Sequence, residues 1–327
     1  MEIKTNIVKS INNQFAQTPF DYNGSLASVA TEVRNCRTDY IADCVMPFVE
    51  TPTCRFFYHN WNTTQPYEFV NDYAGQLGIV HEIENPETVL NFSNVEDHGL
   101  DMRITWCIQQ AMQAGACSGV PQNYMESSAE HLMSLLMLNR EKRVVDLISD
   151  PALYPTGSTT AIPAGDEYNS TSTPLDPLAH LSDIIANSNI NFNWMATSKK
   201  IASFLRRHPS FLGNVDARGV VTNEAIAQTL GLDGFCEGRS FGNVGGTLTP
   251  LWGDYILLFS KNPDFQGSTE CPAPTFGFTA RNGGLFTGTI RQPQNGLRGT
   301  DYLRVGESVK EVVTNYQFGH LITNVLA

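Results

Sequence analysis

The chain has 327 residues, of which 41% are hydrophobic and 10% aromatic, enough apolar side chain for a real core and too much for disorder. Its 33 acids against 21 bases give a formal net charge of −12, which supplies no global basic surface for gripping nucleic-acid phosphates. Only 17% of residues are charged, a deficit typical of surfaces covered by other subunits.

In chain order, residues 1–45 are polar and mixed, with a short helix predicted near Ser25 to Val33. From Arg55 to Met102, aromatic and β-branched residues recur among Asn, Pro and Gly, the pattern of an extended hairpin or long loop. Between Phe56 and Met102 stand eight acids (Glu68, Asp72, Glu82, Glu84, Glu87, Glu96, Asp97, Asp101) and no Lys or Arg. Such a one-sign segment repels itself unless a positive surface receives it.

The clearest element is a helix predicted over Ser127 to Ile148. Ser127 and Glu130 have capping-box spacing, Leu132, Met133, Leu136, Met137, Val144 and Ile148 recur at helical intervals, and Pro151 enforces a stop. Its run Arg140-Glu141-Lys142-Arg143 reads by itself as a solvated face. Tyr154 to Pro174 reads as a linker or loop. An α/β alternation follows: helices at Asp176-Pro177 onward, Ser198 to His208 and Asn223 to Leu230, the last closed by Gly231. Strands are predicted at Asn191 to Ala196, Phe235 to Arg239, Tyr255 to Ser260, Phe276 to Ala280, Leu285 to Ile290, Tyr302 to Val313 and His320 to Leu326.

The sequence offers little for catalysis. Gly238-Arg239-Ser240-Phe241-Gly242 matches the G-x-S-x-G nucleophile elbow, but Asn243-Val244-Gly245-Gly246 cannot open the helix an elbow requires. A serine hydrolase using Ser240 is therefore a remote alternative. No phosphate loop, Rossmann fingerprint or His/Cys cluster at zinc spacing is present, so no catalytic, cofactor or metal residue is expected. Asp97 and Asp101 would make only a weak metal or acid/base pair. The seven scattered Cys, with no C-x-x-C pair, suit a reducing compartment better than a disulfide framework. With no apolar segment of signal or membrane-span length, a soluble, intracellularly made protein is expected.

An ordered series of segments resembles the major capsid proteins of tailed bacteriophages, of Hong Kong 97-like fold. The series begins with Tyr40-Ile41-Ala42-Asp43, followed by Pro47, Val49 and Pro52. It continues through Leu138 to Val144, on to Asp150-Pro151-Ala152-Leu153-Tyr154-Pro155-Thr156-Gly157, and then Asn193 to Thr197 with Phe204 to Pro209. It ends with Leu230-Gly231-Leu232, Gly238-Arg239, Trp252 to Leu258, Thr275 to Thr279 and Asp301 to Val305.

The resemblance implies an α+β chain. Its parts would be an N-terminal arm (1–45), an extended E-loop hairpin with the first P-domain strands (46–125), and a spine helix with its following loop (126–174). An A-domain (175–290) and a returning P-domain strand with a C-terminal A-domain strand (291–327) complete it. It also implies a non-enzymatic subunit that assembles with itself, as hexamers and pentamers, into an icosahedral shell enclosing double-stranded DNA. Implied partners are a separate scaffolding protein, a portal and optionally a decoration protein, with assembly in the bacterial cytoplasm and residence in the virion. A tail-tube or other phage structural protein is the alternative. With no Lys between Lys9 and Lys142, an E-loop isopeptide cross-link is excluded. The candidate subunit contacts are the acidic Glu82 and Glu84 against Arg140, Lys142 and Arg143 of a neighbour.

Overall fold

The structure, a computed structural model, describes residues 20–60, 72–73, 89–114, 123–213, 221–262 and 275–327. After strand β1 (Phe20–Tyr22), helix α1 (Gly24–Cys36) starts where the Asn23 side chain accepts from the Ser25 and Leu26 N–H groups. Then come α2 (Ala42–Val45), β2 (Phe48–Glu50), β3 (Arg55–Asn60), β4 (Val89–Asn94), β5 (Glu96–Thr105) and α3 (Trp106–Ala114). The long helix α4 (Tyr124–Ile148) has 25 residues and is about 37 Å long. It begins upstream of the predicted cap: the Ser127 N–H already donates to Asn123 O at 3.0 Å, so Ser127 lies inside the first turn. At the far end the Asp150 side chain caps a 3₁₀ turn at Pro151–Leu153.

The expected linker or loop at 154–174 is tied down and includes one short strand. Tyr154, Ile162 and Tyr168 are buried, and β6 (Thr159–Ala161) adds a strand to a sheet whose partner lies some 160 residues away, beyond the reach of local pattern. Helix α5 (Pro177–Asn187) starts on Asp176 as predicted. There follow β7 (Trp194–Ser198), α6 (Lys199–Arg207), α7 (Pro209–Leu212), α8 (Asn223–Thr229), β8 (Gly234–Gly238), β9 (Phe241–Val244), β10 (Thr247–Pro250) and β11 (Tyr255–Phe259). The last strands are β12 (Gly277–Arg281), β13 (Phe286–Gln292), β14 (Thr300–Val313) and β15 (Gly319–Thr323).

The chain divides into two compact units, each discontinuous in sequence. The first draws on residues 1–38, 96–139 and 283–308. Here β13 pairs antiparallel with β1 and with residues 300–306 of β14, which β5 also joins. Leu26 and Ala30 of α1, Ala129, Leu132, Met133 and Leu136 of α4, and Ile104, Leu303 and Val305 of the strands form its core. Asp97 and Asp101 sit on strand β5 rather than forming a metal pair: Asp101 takes two 2.7 Å bonds from Arg304, and Asp97 accepts from the Ser308 hydroxyl at 2.5 Å.

The second unit comprises residues 39–95, 140–282 and 309–327. Its five-stranded sheet runs β6-β15-β11-β7-β8, antiparallel about β11 and parallel at β6–β15 and β7–β8. All five residues of β11 are buried, and their alternation feeds two cores. Ile256 and Leu258 join Leu181, Ile201, Leu205, Phe211 and Ile226, while Leu257 and Phe259 join Val144, Ile148, Tyr154, Trp252 and Phe276. Residues 309–313 of β14 pair with β12, which pairs in parallel with β2. The β3–β4 and β9–β10 pairs are separate two-stranded ribbons.

Candidate assembly surfaces

The charged run of α4 divides by helical phase. Arg140 and Glu141 fall in step with Val144 and Ile148 and are buried, whereas Lys142 points outward and pairs with Asp146 one turn on. Arg140 is therefore not a solvated cation awaiting a neighbour. It pairs with Asp43, its Nη2 donates to Thr279 Oγ1 at 3.0 Å and to Met46 O at 3.3 Å, and its guanidinium lies 3.9 Å over the Phe48 ring. Arg143 donates to both carboxylate oxygens of buried Glu311, at 2.8 and 3.2 Å. Both arginines thus pair with acids of their own chain, and the buried carboxylate of Glu311 requires such a partner. Glu82 and Glu84 lie outside the described residues.

Glu141 and Glu237 are functional-looking carboxylates that reading for chemistry missed. Glu141 accepts from the Ile41 N–H at 3.0 Å, the Ala42 N–H at 2.8 Å and Trp252 Nε1–H at 2.6 Å, so one side chain joins the segment before β2, the long helix and the β10–β11 turn. Burial raises its pKa, and those three bonds work against the rise. Its phase with Val144 and Ile148 was a legible signal, masked by the charges beside it. Glu237 is also buried, yet hydrogen bonds from Arg239, Asn223 and Arg206 outweigh desolvation and hold it at about 2.

Ser240 is buried, with its hydroxyl 3.5 Å from Glu141 Oε1, and the strand β9 follows it where an elbow needs a helix. Gly238 is explained by packing: a Cβ there would come within 2.3 Å of the Trp252 ring. The cysteines depart from expectation, since Cys44 and Cys236, 192 residues apart in sequence, form a disulfide with Cα atoms 6.6 Å apart. Among the described residues no group of three or more His, Cys, Asp or Glu is placed to hold a metal, and no helix is long and apolar enough to cross a membrane.

Among the described residues, both two-stranded ribbons carry exposed large apolar side chains. Phe57 and Phe92 face each other across β3–β4 at 55% and 62% exposure, with the Arg55 guanidinium 4.4 Å from the Phe92 ring. On β9–β10, Phe241, Val244 and Leu248 are exposed, Leu248 at 73%, around a two-residue turn at Gly245-Gly246 whose φ values of +61° and +89° only glycine adopts freely. In the first unit Leu297 is 99% exposed in the β13–β14 turn. Contiguous exposed apolar patches are candidates for association surfaces.

A long helix, a β3–β4 ribbon and a sheet-centred α/β unit define the Hong Kong 97-like fold of phage capsid proteins, as the sequence led one to expect. The structure is similar to a phage-related protein from Bordetella bronchiseptica RB50, with TM-score 0.67 and 16% identity over 94% of this chain and 98% of that one. It is also similar to the capsid of cyanophage P-SCSP1u, with TM-score 0.54 and 11% identity over 88% of each chain. In sequence, the chain resembles the major capsid protein of Pseudomonas phage JBD67, 28% identical over 325 residues, which are 95% of this chain and 99% of that protein. No protein-family model matches the chain.

Proposed function

We propose that this chain is the structural subunit of a phage head, many copies of which close into a shell. The observation that carries the reading is the likeness to a phage major capsid protein along nearly the full length of both chains. The exposed apolar ribbons and the low charge fraction support it, since closed shells reuse the same surfaces by symmetry and depend on buried, mostly uncharged area. Within that reading, residues 1–45 serve as the arm, 46–125 as E-loop and first P-domain strands, 126–174 as spine and loop, 175–290 as A-domain and 291–327 as the returning strands. Hexamers and pentamers form an icosahedral shell around double-stranded DNA. Scaffolding and portal proteins are separate chains, a decoration protein an optional addition, and assembly takes place in the host cytoplasm before the virion leaves. An acidic lining suits a DNA container because it does not grip the polyanion.

For the subunit contact, the acidic stretch holding Glu82 and Glu84 docks on a neighbour's spine. Lys142 is the cation of the proposed three that faces solvent, while Arg140 and Arg143 pair with Asp43 and Glu311 of other elements of the same chain. Single exposed pairs contribute only about 0.2–1 kcal/mol, so the contact acts collectively and weakens with salt. Negative-stain electron microscopy of the expressed chain tests the main reading, with closed spherical particles expected; a monodisperse monomer at high concentration overturns it. Glu82→Lys with Glu84→Lys tests the docking: fewer shells are expected, partly restored by Lys142→Glu, and unchanged shells from the double variant reject it.

A further inference from the structure

We propose that Cys44 and Cys236 are an oxidation site: they stay as thiols while the chain folds and assembles inside the cell, and become a disulfide after the particle leaves it. The inference rests on the capsid reading for the change of compartment. Three observations carry it.

First, the two cysteines are placed together by contacts that do not need the bond. The segment ahead of β2 is pinned by Glu141 to the Ile41 and Ala42 N–H groups, by the Arg239 N–H to Asp39 O at 3.2 Å, and by Lys261 Nζ to Cys44 O at 2.8 Å. Val45 and Met46 are buried beside it. In the joined pair the Cα separation of 6.6 Å lies within the range a disulfide accepts, so the bond is compatible with the backbone that these contacts hold. Second, the pair is asymmetric: Cys236 is buried in the sheet on β8, whereas Cys44 is half-exposed on α2 and within reach of a small oxidant. Third, bacterial cytoplasm keeps thiols reduced, while the medium outside does not.

The oxidant is a low-molecular-weight disulfide, RSSR. The Cys44 thiolate attacks one sulfur of RSSR, forming a mixed Cys44–S–S–R disulfide and expelling RS⁻. The Cys236 thiolate then attacks the Cys44 sulfur, forming Cys44–Cys236 and expelling the second RS⁻. The two thiol protons go to the two expelled thiolates, so that two protein thiols and RSSR give one protein disulfide and two RSH, with two electrons passing to RSSR. The bond joins residues 192 apart and fastens the segment leading into β2 to the sheet, restricting the unfolded chain most where the closed loop is long.

The test uses the full chain expressed in a reducing bacterial cytoplasm, with thiols trapped by an alkylating agent at harvest, and oxidised glutathione as the probe. Peptide mass spectrometry is expected to find Cys44 and Cys236 both alkylated at harvest and joined after the probe. The thermal midpoint should rise by roughly 5 °C on oxidation, reversibly with dithiothreitol. Cys44→Ser and Cys236→Ser should lose the rise, whereas Cys36→Ser, at an exposed free thiol, should keep it. A pair already joined at harvest, a pair that glutathione never joins, or a joined pair with an unchanged midpoint overturns the proposal. The mass spectrum is read on dispersed chain as well as on particles. A chain that forms shells without the bond therefore sinks only this inference, and a chain that forms the bond without shells sinks the capsid reading.

Discussion

The five-stranded sheet and the β9–β10 ribbon belong to the same compact unit and meet opposite fates. On β11 every side chain is buried, each alternate residue meeting one of two cores, and the backbone pairs on both edges. On β9–β10, among the described residues, each strand pairs only with the other, and Phe241, Val244 and Leu248 are exposed. A lone two-stranded ribbon is marginal in water. The contrast separates what this chain stabilises for itself from what it leaves for other molecules, and in the proposed shell those are its siblings.

Substitutions can break that contrast. The largest effect is expected in the sheet: Phe259→Ala removes a fully buried ring and should cost about 3–5 kcal/mol in urea unfolding of the subunit. Next comes Glu141→Ala, which strands the Ile41 and Ala42 N–H groups and the Trp252 indole N–H, for about 3 kcal/mol by the same measurement. A loss below about 1 kcal/mol would mean that water replaces the carboxylate easily.

The ribbon should behave in reverse. Phe241→Ser with Leu248→Ser is expected to move subunit stability by no more than about 0.5 kcal/mol while cutting shell yield several-fold in sedimentation. Equal yield would show the ribbon to be idle surface. Glu237 sharpens the comparison by pH. Its carboxylate is held at about 2, below the ordinary 4.5, so its contribution is present above pH 4.5 and is lost as pH falls toward 2. Thermal midpoints measured across that window should fall less steeply in Glu237→Gln than in the unchanged chain. The smallest effect belongs to Lys142→Ala, whose exposed pair with Asp146 should be worth under about 0.5 kcal/mol.

The legible parts of the fold were those with local causes. Asp176-Pro177 announces α5, the helical spacing from Leu132 to Ile148 announces most of α4, and the apolar run Tyr255 to Phe259 announces a buried strand. The errors have a common source in distant partners. Ser127 looked like a cap because nothing nearby reveals that the helix starts upstream at Tyr124. Thr159 to Ala161 looked like linker or loop because its partner β15 is some 160 residues further along the chain. Of the candidate contacts, Lys142 stands at the surface as read, while Arg140 and Arg143 answer to Asp43 and Glu311, residues remote in sequence.

By itself the sequence determined the α+β class, the long helix, the absence of a helix after Ser240 and the resemblance to phage capsid proteins, because short-range periodicity, caps and ordered motifs are written in neighbouring residues. Only the tertiary structure decided which charges are buried, that Cys44 meets Cys236, and that the ribbons keep their apolar faces outward. The hydrogen bond from Ala42 to Glu141 and the disulfide join residues 99 and 192 positions apart, so pairing there follows from the folded arrangement rather than from neighbouring residues.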